Sequence, residues 1–270
     1  MKVFISADLE GVSGVVSMDD VFPGREGYPD ACQMMTGDVN AAVEGALAAG
    51  ADDVVVFDAH AGGRNLDLEA LHPGAQVIRG QPVPVMVGGL DDGFDALLLI
   101  GYHAMRGTAD AVMDHTYTSA FNRVWINGSE VGEVALAAAF AGHYGVPVAM
   151  ISGDEKVCEE GSALVPTTLT ALVKWGMGRH AAHCLSLEQA RTRIRDTASR
   201  AVAGIDHMVP YVLDAPLALE VEYPSTASAD RAAWLPTVER KGPRRIACTL
   251  GDMPSLVGLL SVLVGLTDKS

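Results

Sequence analysis

The sequence predicts an α/β fold, in which a mostly parallel sheet is flanked by helices and followed by a smaller C-terminal α+β domain. Three short apolar runs indicate buried strands: VFISADL (3–9), DVVVFDA (53–59) and DALLLIGY (95–102). The alanine-rich segment DVNAAVEGALAAG (38–50) lies between the first two runs, and its closing glycine suits a helix C-cap. Strand, helix and strand in this order are typical of a parallel sheet.

The same alternation continues through the middle of the chain. The sequence predicts a strand at RVWING (123–128), a helix at about 131–144 and a further strand at VPVAMISGD (146–154). We expect these elements to extend the same sheet, so that an α/β domain covers residues 1–185.

The pattern changes after residue 185, where a polar helix precedes two strand-like runs and a last apolar helix. These elements predict a smaller α+β domain over residues 186–270. A long loop joins its two strands and is a candidate for a functional loop or an interface. The predicted elements are the helix SLEQARTRIRDTASRAVAG (186–204), the strands LALEVEY (217–223) and RRIACTLG (244–251), and the helix SLVGLLSVLVGL (255–266).

Composition excludes several classes of protein. The chain has 270 residues, of which 49% are apolar, and this suits a soluble globular protein with a sizeable core. Its 34 acidic and 19 basic residues give a formal charge of −15, which would repel a phosphate backbone or an anionic lipid surface. We therefore expect neither nucleic acid nor a membrane as a partner.

Signals for export and for disulfide bonds are missing from the sequence. The first residues, MKVFISADLEG, are too short an apolar run for a signal sequence or a membrane span, so we expect a cytoplasmic protein. The four cysteines are scattered without a CxxC pair, which argues against a disulfide framework or a cysteine zinc site. They are Cys32, Cys158, Cys184 and Cys248.

Metal-ligating residue types follow three successive strands of the predicted sheet. The carboxyl ends of parallel strands meet at one edge, where functional groups gather in α/β proteins. One further carboxylate lies in the first turn of an otherwise apolar helix, where the helix dipole favours it. The residues are Asp8 and Glu10 after the first strand, His60 after the second, His103 after the third, and Glu133 in the helix.

Taken as one site, these five side chains suit two divalent cations. Three carboxylates and two neutral imidazoles carry a charge of −3, which two divalent ions would balance with +1 to spare. Mixed nitrogen and oxygen ligands favour zinc, with manganese or cobalt as alternatives. A metal pair needs a bridging carboxylate, and Asp8 is the deeper of the first two acids. The simpler interpretation is that the acids cap backbone amides and the histidines bond within the rim of the core.

Several motifs together resemble the D-aminopeptidase family of zinc metallopeptidases, peptidase family M55. The resemblance is in order and nearly without gaps, and it extends in weaker form through LALEVEY and ADRAAWLPTVE to the C-terminus. The motifs are SADLEGVSG, FDAH, LHPGAQVIRG, GLDDGFDALLLIGYHA, MDHTYT, INGSEVGE and VPVAMISGD.

The resemblance implies a binuclear zinc centre with the same five ligands, bridged by Asp8, and it implies that His115 is the catalytic histidine. The implied activity is hydrolysis of the N-terminal amide bond of short peptides or amino-acid amides, with a D-residue at the N-terminus. His115 would act as base, acid or oxyanion stabiliser. The family also implies a homo-oligomer, a ring of ten subunits.

Asp58, two residues before His60, would either orient that imidazole or cap the following loop.

Three other functions are compatible with parts of this pattern. Another zinc amidohydrolase with a free-amine substrate would use the same ligands. A magnesium-dependent phosphatase of the haloacid dehalogenase type also has two acids after its first strand, with Asp8 as nucleophile, but phosphate chemistry does not need His60 and His103. A non-catalytic metal-binding scaffold is the third alternative, although structural zinc sites are usually closed and rich in cysteine.

Overall fold

A computed structural model describes residues 1–80 and 86–267, and its strands form two sheets. The seven-stranded sheet has the order β3-β2-β1-β4-β7-β8-β9, and the five-stranded sheet has the order β11-β12-β10-β5-β6. The strands are β1 (Lys2–Ala7), β2 (Asp53–Asp58), β3 (Ala75–Ile78), β4 (Ala96–Tyr102), β5 (Arg123–Ile126), β6 (Ser129–Glu130), β7 (Val148–Asp154), β8 (Leu169–Gly176), β9 (Ala182–Cys184), β10 (Leu217–Glu222), β11 (Glu239–Arg240) and β12 (Arg245–Leu250).

The large sheet is parallel except at its β9 edge, which confirms the predicted fold class. In register, Ile5 of β1 lies between Val56 of β2 and Leu98 of β4. The central strands are buried over almost their whole length. Helices cover both faces of a sheet of this kind, and this explains why these strands are continuous apolar runs.

The prediction that residues 123–128 extend the parallel sheet is wrong. The strand exists, but β5 pairs antiparallel with β10 in the smaller sheet, where Val124 lies opposite Val221. Its residues alternate between buried and more exposed positions, with Val124 and Ile126 inside. That period of two is typical of an antiparallel sheet with one covered face, whereas the strands of the large sheet are continuous apolar runs.

Seven α-helices occur in the described part of the chain. Helix α2 begins ten residues before the predicted segment, with Pro29 in its first turn, a position where proline is favoured. Gly50, which follows its end, has a φ of +96°. The helices are α1 (Met18–Val21), α2 (Tyr28–Ala48), α3 (Glu133–His143), α4 (Glu155–Leu164), α5 (Leu187–Ala203), α6 (Thr226–Ala232) and α7 (Met253–Gly265).

Two apolar cores lie on opposite faces of the large sheet. One joins the sheet to α2 and α5, for example through Val39 and Ile194. The other joins it to α3, α7 and the smaller sheet, for example through Leu136, Leu256 and Leu219. The smaller sheet takes β5 and β6 from before residue 185, and α5 from after it packs against α2. The division of the chain into two domains at residue 185 stays a prediction.

The lengths of the helices and the state of the cysteines follow from the same structure. Among the described residues, no helix combines the length and the apolar character needed to cross a membrane. All four cysteines are free thiols, with Cys158 and Cys248 buried.

Candidate metal centre

The residues predicted as metal ligands meet at the carboxyl edge of the large sheet. Asp8 and Glu10 follow β1, His60 follows β2, and His103 follows the neighbouring strand β4. Glu133 is the first residue of α3. All five side chains are buried, so the structure brings together every residue of the predicted set.

Glycines let the loop after β1 and the last residues of β4 and β7 approach one another closely. A Cβ atom on Gly11 would lie 1.8 Å from the carbonyl oxygen of Tyr102, and one on Gly153 would lie 2.2 Å from the same atom. Gly101 has a φ of +71°, and a Cβ there would lie 2.3 Å from the carbonyl oxygen of Asp8. No other residue fits these positions without moving a ligand loop.

Asp8 lies between the two histidines. His60 Nδ1 is 3.1 Å from Asp8 Oδ1 and 3.1 Å from Glu10 Oε2. On the other side, His103 Nε2 is 3.5 Å from Asp8 Oδ2 and 3.4 Å from Glu133 Oε1. One carboxylate oxygen therefore faces each imidazole, which is the arrangement expected of a bridging ligand.

His115 joins this cluster on the side of Glu133. Its Nε2 atom is 3.4 Å from Glu133 Oε1, and its ring stacks on that of His103 with 3.9 Å between centroids and 15° between planes. Met113 and Tyr117, two residues to either side, both have positive φ angles. These backbone conformations turn the loop so that the imidazole faces the buried ligands.

Backbone carbonyls orient all three imidazoles. His60 Nε2 lies 2.8 Å from the Val21 oxygen, His103 Nδ1 lies 3.1 Å from the oxygen of its neighbour Ala104, and His115 Nδ1 lies 2.9 Å from that of Met113. A nitrogen bonded to a carbonyl must carry the proton, so the opposite nitrogen of each neutral ring presents a lone pair to the cluster.

The electrostatics of the cluster require a positive charge. Burial would lower the pKa of His60 and His103, but the carboxylates Glu10 and Glu133 beside them, together with Asp8, outweigh burial and hold both pKa values well above the usual range. Burial would raise the pKa of Asp8, but its interactions with His103 and His60 outweigh burial and keep that pKa well below its usual range. Without a metal, protons on the imidazoles must supply the charge that a cation would supply.

Two buried polar atoms in the cluster are free to bind a metal ion. Glu10 Oε2 and His103 Nε2 are buried without a hydrogen-bond partner among the described residues. Two sets of ligand atoms each lie within 4.8 Å of one another: those of Asp8, Glu10 and His103, and those of His103, His115 and Glu133. Imidazole nitrogen with carboxylate oxygen is a donor set that suits zinc, so the residues present fit the implied metal.

A cavity of about 430 Å³ opens over the cluster. The acids and His115 lie in its lining, while much of the remaining wall is apolar. Ser261 and Val264 come from α7, near the C-terminus, and Ser261 Oγ bonds the Tyr117 hydroxyl at 2.7 Å. Other wall residues are Met18, Phe22, Met86, Met113 and Thr118. A cavity of this size and lining can hold a small organic molecule against the ligands.

Asp58 caps the loop that follows β2, which is the second of its two predicted roles. Its carboxylate accepts hydrogen bonds from the backbone N–H groups of Asn65 and Leu66 and from the Asn65 side-chain amide. The same amide nitrogen lies 2.6 Å from the carbonyl oxygen of His60. Asp58 therefore holds the backbone of His60 and not its imidazole.

Sequence reasoning missed two contributions to this site. Lys174 in β8 is completely buried, and its ammonium bonds the backbone around Glu10. A lysine inside the otherwise apolar run LTALVKWG was the signal available. No local sequence pattern indicated that α7 forms part of the cavity wall, because its residues lie more than 100 positions from the ligands in sequence.

Known proteins match this chain over nearly its full length. The family model of peptidase family M55, described as D-aminopeptidase, matches residues 1–262. A D-aminopeptidase of Bacillus subtilis (strain 168) is 35% identical over 242 residues, which cover 89% of this chain and 88% of the relative.

A solved structure extends the similarity to three dimensions. It is described as the Zn-dependent D-aminopeptidase DppA from Bacillus subtilis, a self-compartmentalizing protease, and it matches with a TM-score of 0.97 and 32% identity. The match covers 100% of this chain and 99% of the solved one. The resemblance read from the motifs is thus confirmed: the chain belongs to the D-aminopeptidase family, peptidase family M55, and is a metallo-aminopeptidase.

Proposed function

We propose that this protein is a two-zinc aminopeptidase that hydrolyses the N-terminal amide bond of short peptides or amino-acid amides with an N-terminal D-residue. The observation that carries the proposal is the position of Asp8, with one oxygen facing His60 and the other facing His103, at the floor of a cavity of about 430 Å³. The zinc dependence stated for the DppA structure supports the choice of metal.

The five predicted ligands divide into two groups around Asp8. Glu10 and His60 lie on one side of it, and His103 and Glu133 lie on the other. Each group, with Asp8 shared, would hold one zinc ion. Bound zinc supplies a Lewis acid and lowers the pKa of water to about 7, which makes hydrolysis feasible at neutral pH.

His115 is the residue proposed to move protons. Its Nδ1–H donates to the Met113 carbonyl, so its Nε2 presents a lone pair toward the cavity. From that position it accepts a proton from the attacking water and returns it to the leaving amine. Asp8, Glu10 and Glu133 line the same floor, where they would hold the metals beside the bound substrate.

The D-residue, the assembly and the location are finer points of the proposal. The relatives carry the name D-aminopeptidase, and this supports preference for an N-terminal D-residue. The solved relative is described as self-compartmentalizing, and this supports a homo-oligomer, for which we propose the ring of ten subunits. The four free thiols agree with a reducing compartment, and we propose the cytoplasm.

The alternative enzyme classes differ in substrate and metal. A further zinc amidohydrolase activity on substrates with a free amine would use the same residues and is the closest competitor. A phosphatase of the haloacid dehalogenase type would use Asp8 as a nucleophile and does not need His60 and His103, whose ring nitrogens face the two oxygens of that carboxylate. A structural scaffold needs no cavity beside its metals.

Paired substrates test this proposal. Zinc-loaded protein is given D- and L-aminoacyl amides and dipeptides that differ only in the configuration of the first residue, and release of the amine is measured. We expect hydrolysis of the D-series well above that of the L-series. Equal rates would refute the stereochemical part, and no hydrolysis of either series would refute the aminopeptidase.

A further inference from the structure

Lys174 is a lysine buried in the interior beneath the metal centre. It lies in β8, and its side chain has no exposed surface. Its ammonium donates hydrogen bonds to three backbone carbonyls, those of Glu10 at 2.6 Å, Val12 at 2.9 Å and Val15 at 2.5 Å. An ammonium has three N–H donors, so all of them are used by a single loop.

That loop carries two of the proposed zinc ligands. Residues 8–16 belong to no helix or strand, yet most of them are buried. Buried carbonyls outside regular structure need partners, and Lys174 satisfies three of them. On the donor side, Ser13 gives its backbone N–H and its hydroxyl to the carboxylate of Asp38, at 2.9 and 2.7 Å. The loop is therefore held both through hydrogen-bond donors of Ser13 and through three of its backbone carbonyls.

We propose that Lys174 is a positioning residue of the metal centre, because its bond to the Glu10 carbonyl fixes the backbone from which the Glu10 carboxylate reaches the metal. This inference rests on the proposed role of Glu10 as a zinc ligand. Strands β4 and β7 separate β8 from β1 in the sheet, so Lys174 ties the β1 loop to a distant strand.

The contact holds the backbone of Glu10, whereas His60, at 3.1 Å, lies beside its carboxylate. Glu10 Oε2 accepts no hydrogen bond from the described residues, and His60 is the imidazole beside it. The position of the backbone therefore contributes to the direction of this carboxylate. Groups that orient metal ligands in this way commonly change metal affinity by about 10- to 100-fold when they are removed.

The test compares zinc affinity with stability in matched variants. In Lys174→Met the apolar stem remains and the three donors are lost. The control, Ile194→Ala, opens a cavity between α5 and α2 away from the site and also lowers the unfolding temperature. Each purified metal-free protein is titrated with zinc against a chromophoric chelator, and thermal unfolding is recorded in parallel.

We expect Lys174→Met to bind zinc about 10- to 100-fold more weakly than wild type, and Ile194→Ala to bind it as tightly as wild type. A double mutant with Glu10→Gln should lose little more affinity than Glu10→Gln alone, because the lysine acts through Glu10. Additive losses, or wild-type affinity in Lys174→Met, would overturn the inference.

Two further outcomes are decisive. If Lys174→Met does not fold, Lys174→Gln replaces it, because glutamine keeps two N–H donors. We expect its zinc affinity to lie between those of wild type and Glu10→Gln. A zinc affinity equal to that of wild type would overturn the inference. If wild type itself binds no zinc, the two-zinc proposal and this inference both fail. Tight zinc binding by wild type with no effect of Lys174 removes only the inference.

Discussion

Among the three histidines of the metal centre, His115 is the most exposed. Its side chain is 20% exposed, whereas that of His103, on which it stacks, is 1% exposed. A residue that exchanges protons with the substrate must face the cavity, and His115 is part of the cavity lining. This exposure supports the proposed role of His115 in proton transfer.

Replacing His115 with alanine should therefore abolish turnover and leave the metals in place. We expect kcat to fall by about 100- to 10,000-fold, the usual contribution of a general acid or base. Zinc content, measured by atomic absorption, should match that of wild type. His143→Ala is the control, since this exposed histidine lies in the last turn of α3. A variant that keeps its activity, or one that loses zinc, would contradict the role.

The pKa shifts of the buried histidines predict how pH and zinc act together. In the metal-free protein, burial lowers and the carboxylates more strongly raise the pKa of His60 and His103, so both lie well above their ordinary value of about 6.5. The folded state then binds more protons than the unfolded state above about pH 6.5. The stability that these histidines contribute is complete below that pH and is lost as pH rises through their raised pKa values.

Zinc replaces those protons, so its effect should grow with pH. We expect the rise in unfolding temperature caused by zinc to be larger at about pH 8 than at about pH 6, because fewer protons must be displaced. Scanning calorimetry of metal-free and zinc-loaded protein at matched ionic strength measures it. A zinc effect that is independent of pH would mean that neither histidine is a ligand.

At the scale of elements, the carboxyl ends of β1 and β4 meet through a glycine. Gly101→Ala should destabilise the protein by about 2–5 kcal/mol, because alanine is strained at a φ of +71° and its Cβ would lie 2.3 Å from the Asp8 carbonyl oxygen. Displacing that carbonyl also moves a ligand, so zinc binding should weaken. Denaturant unfolding and zinc titration measure the two effects.

Gly50→Ala is the matched control for this change. Gly50 has a φ of +96° after α2, but open space surrounds its Cβ position. Only the backbone strain remains, at about 1–2 kcal/mol, and zinc affinity should not change. If both variants lose the same stability and both bind zinc normally, the close approach at Gly101 has no part in the site.

Elements that carry strong local patterns were predictable from the sequence, and so was the part of the site that depends on them. The apolar runs of β1, β2 and β4 fixed where their carboxyl ends lie, and the candidate ligands Asp8, His60 and His103 follow from those ends. The sheet to which β5 belongs was not predictable in this way, because its partner β10 begins about 90 residues later. Lys174 was missed for the same reason, since its bonds span about 160 residues.

At the scale of the whole molecule, net charge and exposed apolar surface have opposite effects on self-association. The formal charge of −15 on each chain repels other copies. Several large apolar side chains are nevertheless exposed, among them Trp234 at 80%, Met177 at 72% and Val212 at 62%. Trp234 follows α6 in the loop that the sequence marked as a candidate interface. An assembly would remove such side chains from water.

If Trp234 lies in an interface of the proposed ring, its substitution should change the size of the assembly. Burying its exposed surface would contribute about 3–5 kcal/mol per chain, and tryptophan is common among the residues that dominate interfaces. We expect wild type to have about ten times the 28.2 kDa mass of one chain in light scattering. Trp234→Glu should give a smaller species, since it adds charge to an already acidic surface, whereas Trp234→Phe should keep the assembly. High salt should favour assembly by screening the repulsion. A wild-type mass equal to one chain would refute the oligomer, and an unchanged mass in Trp234→Glu would place Trp234 outside the interface.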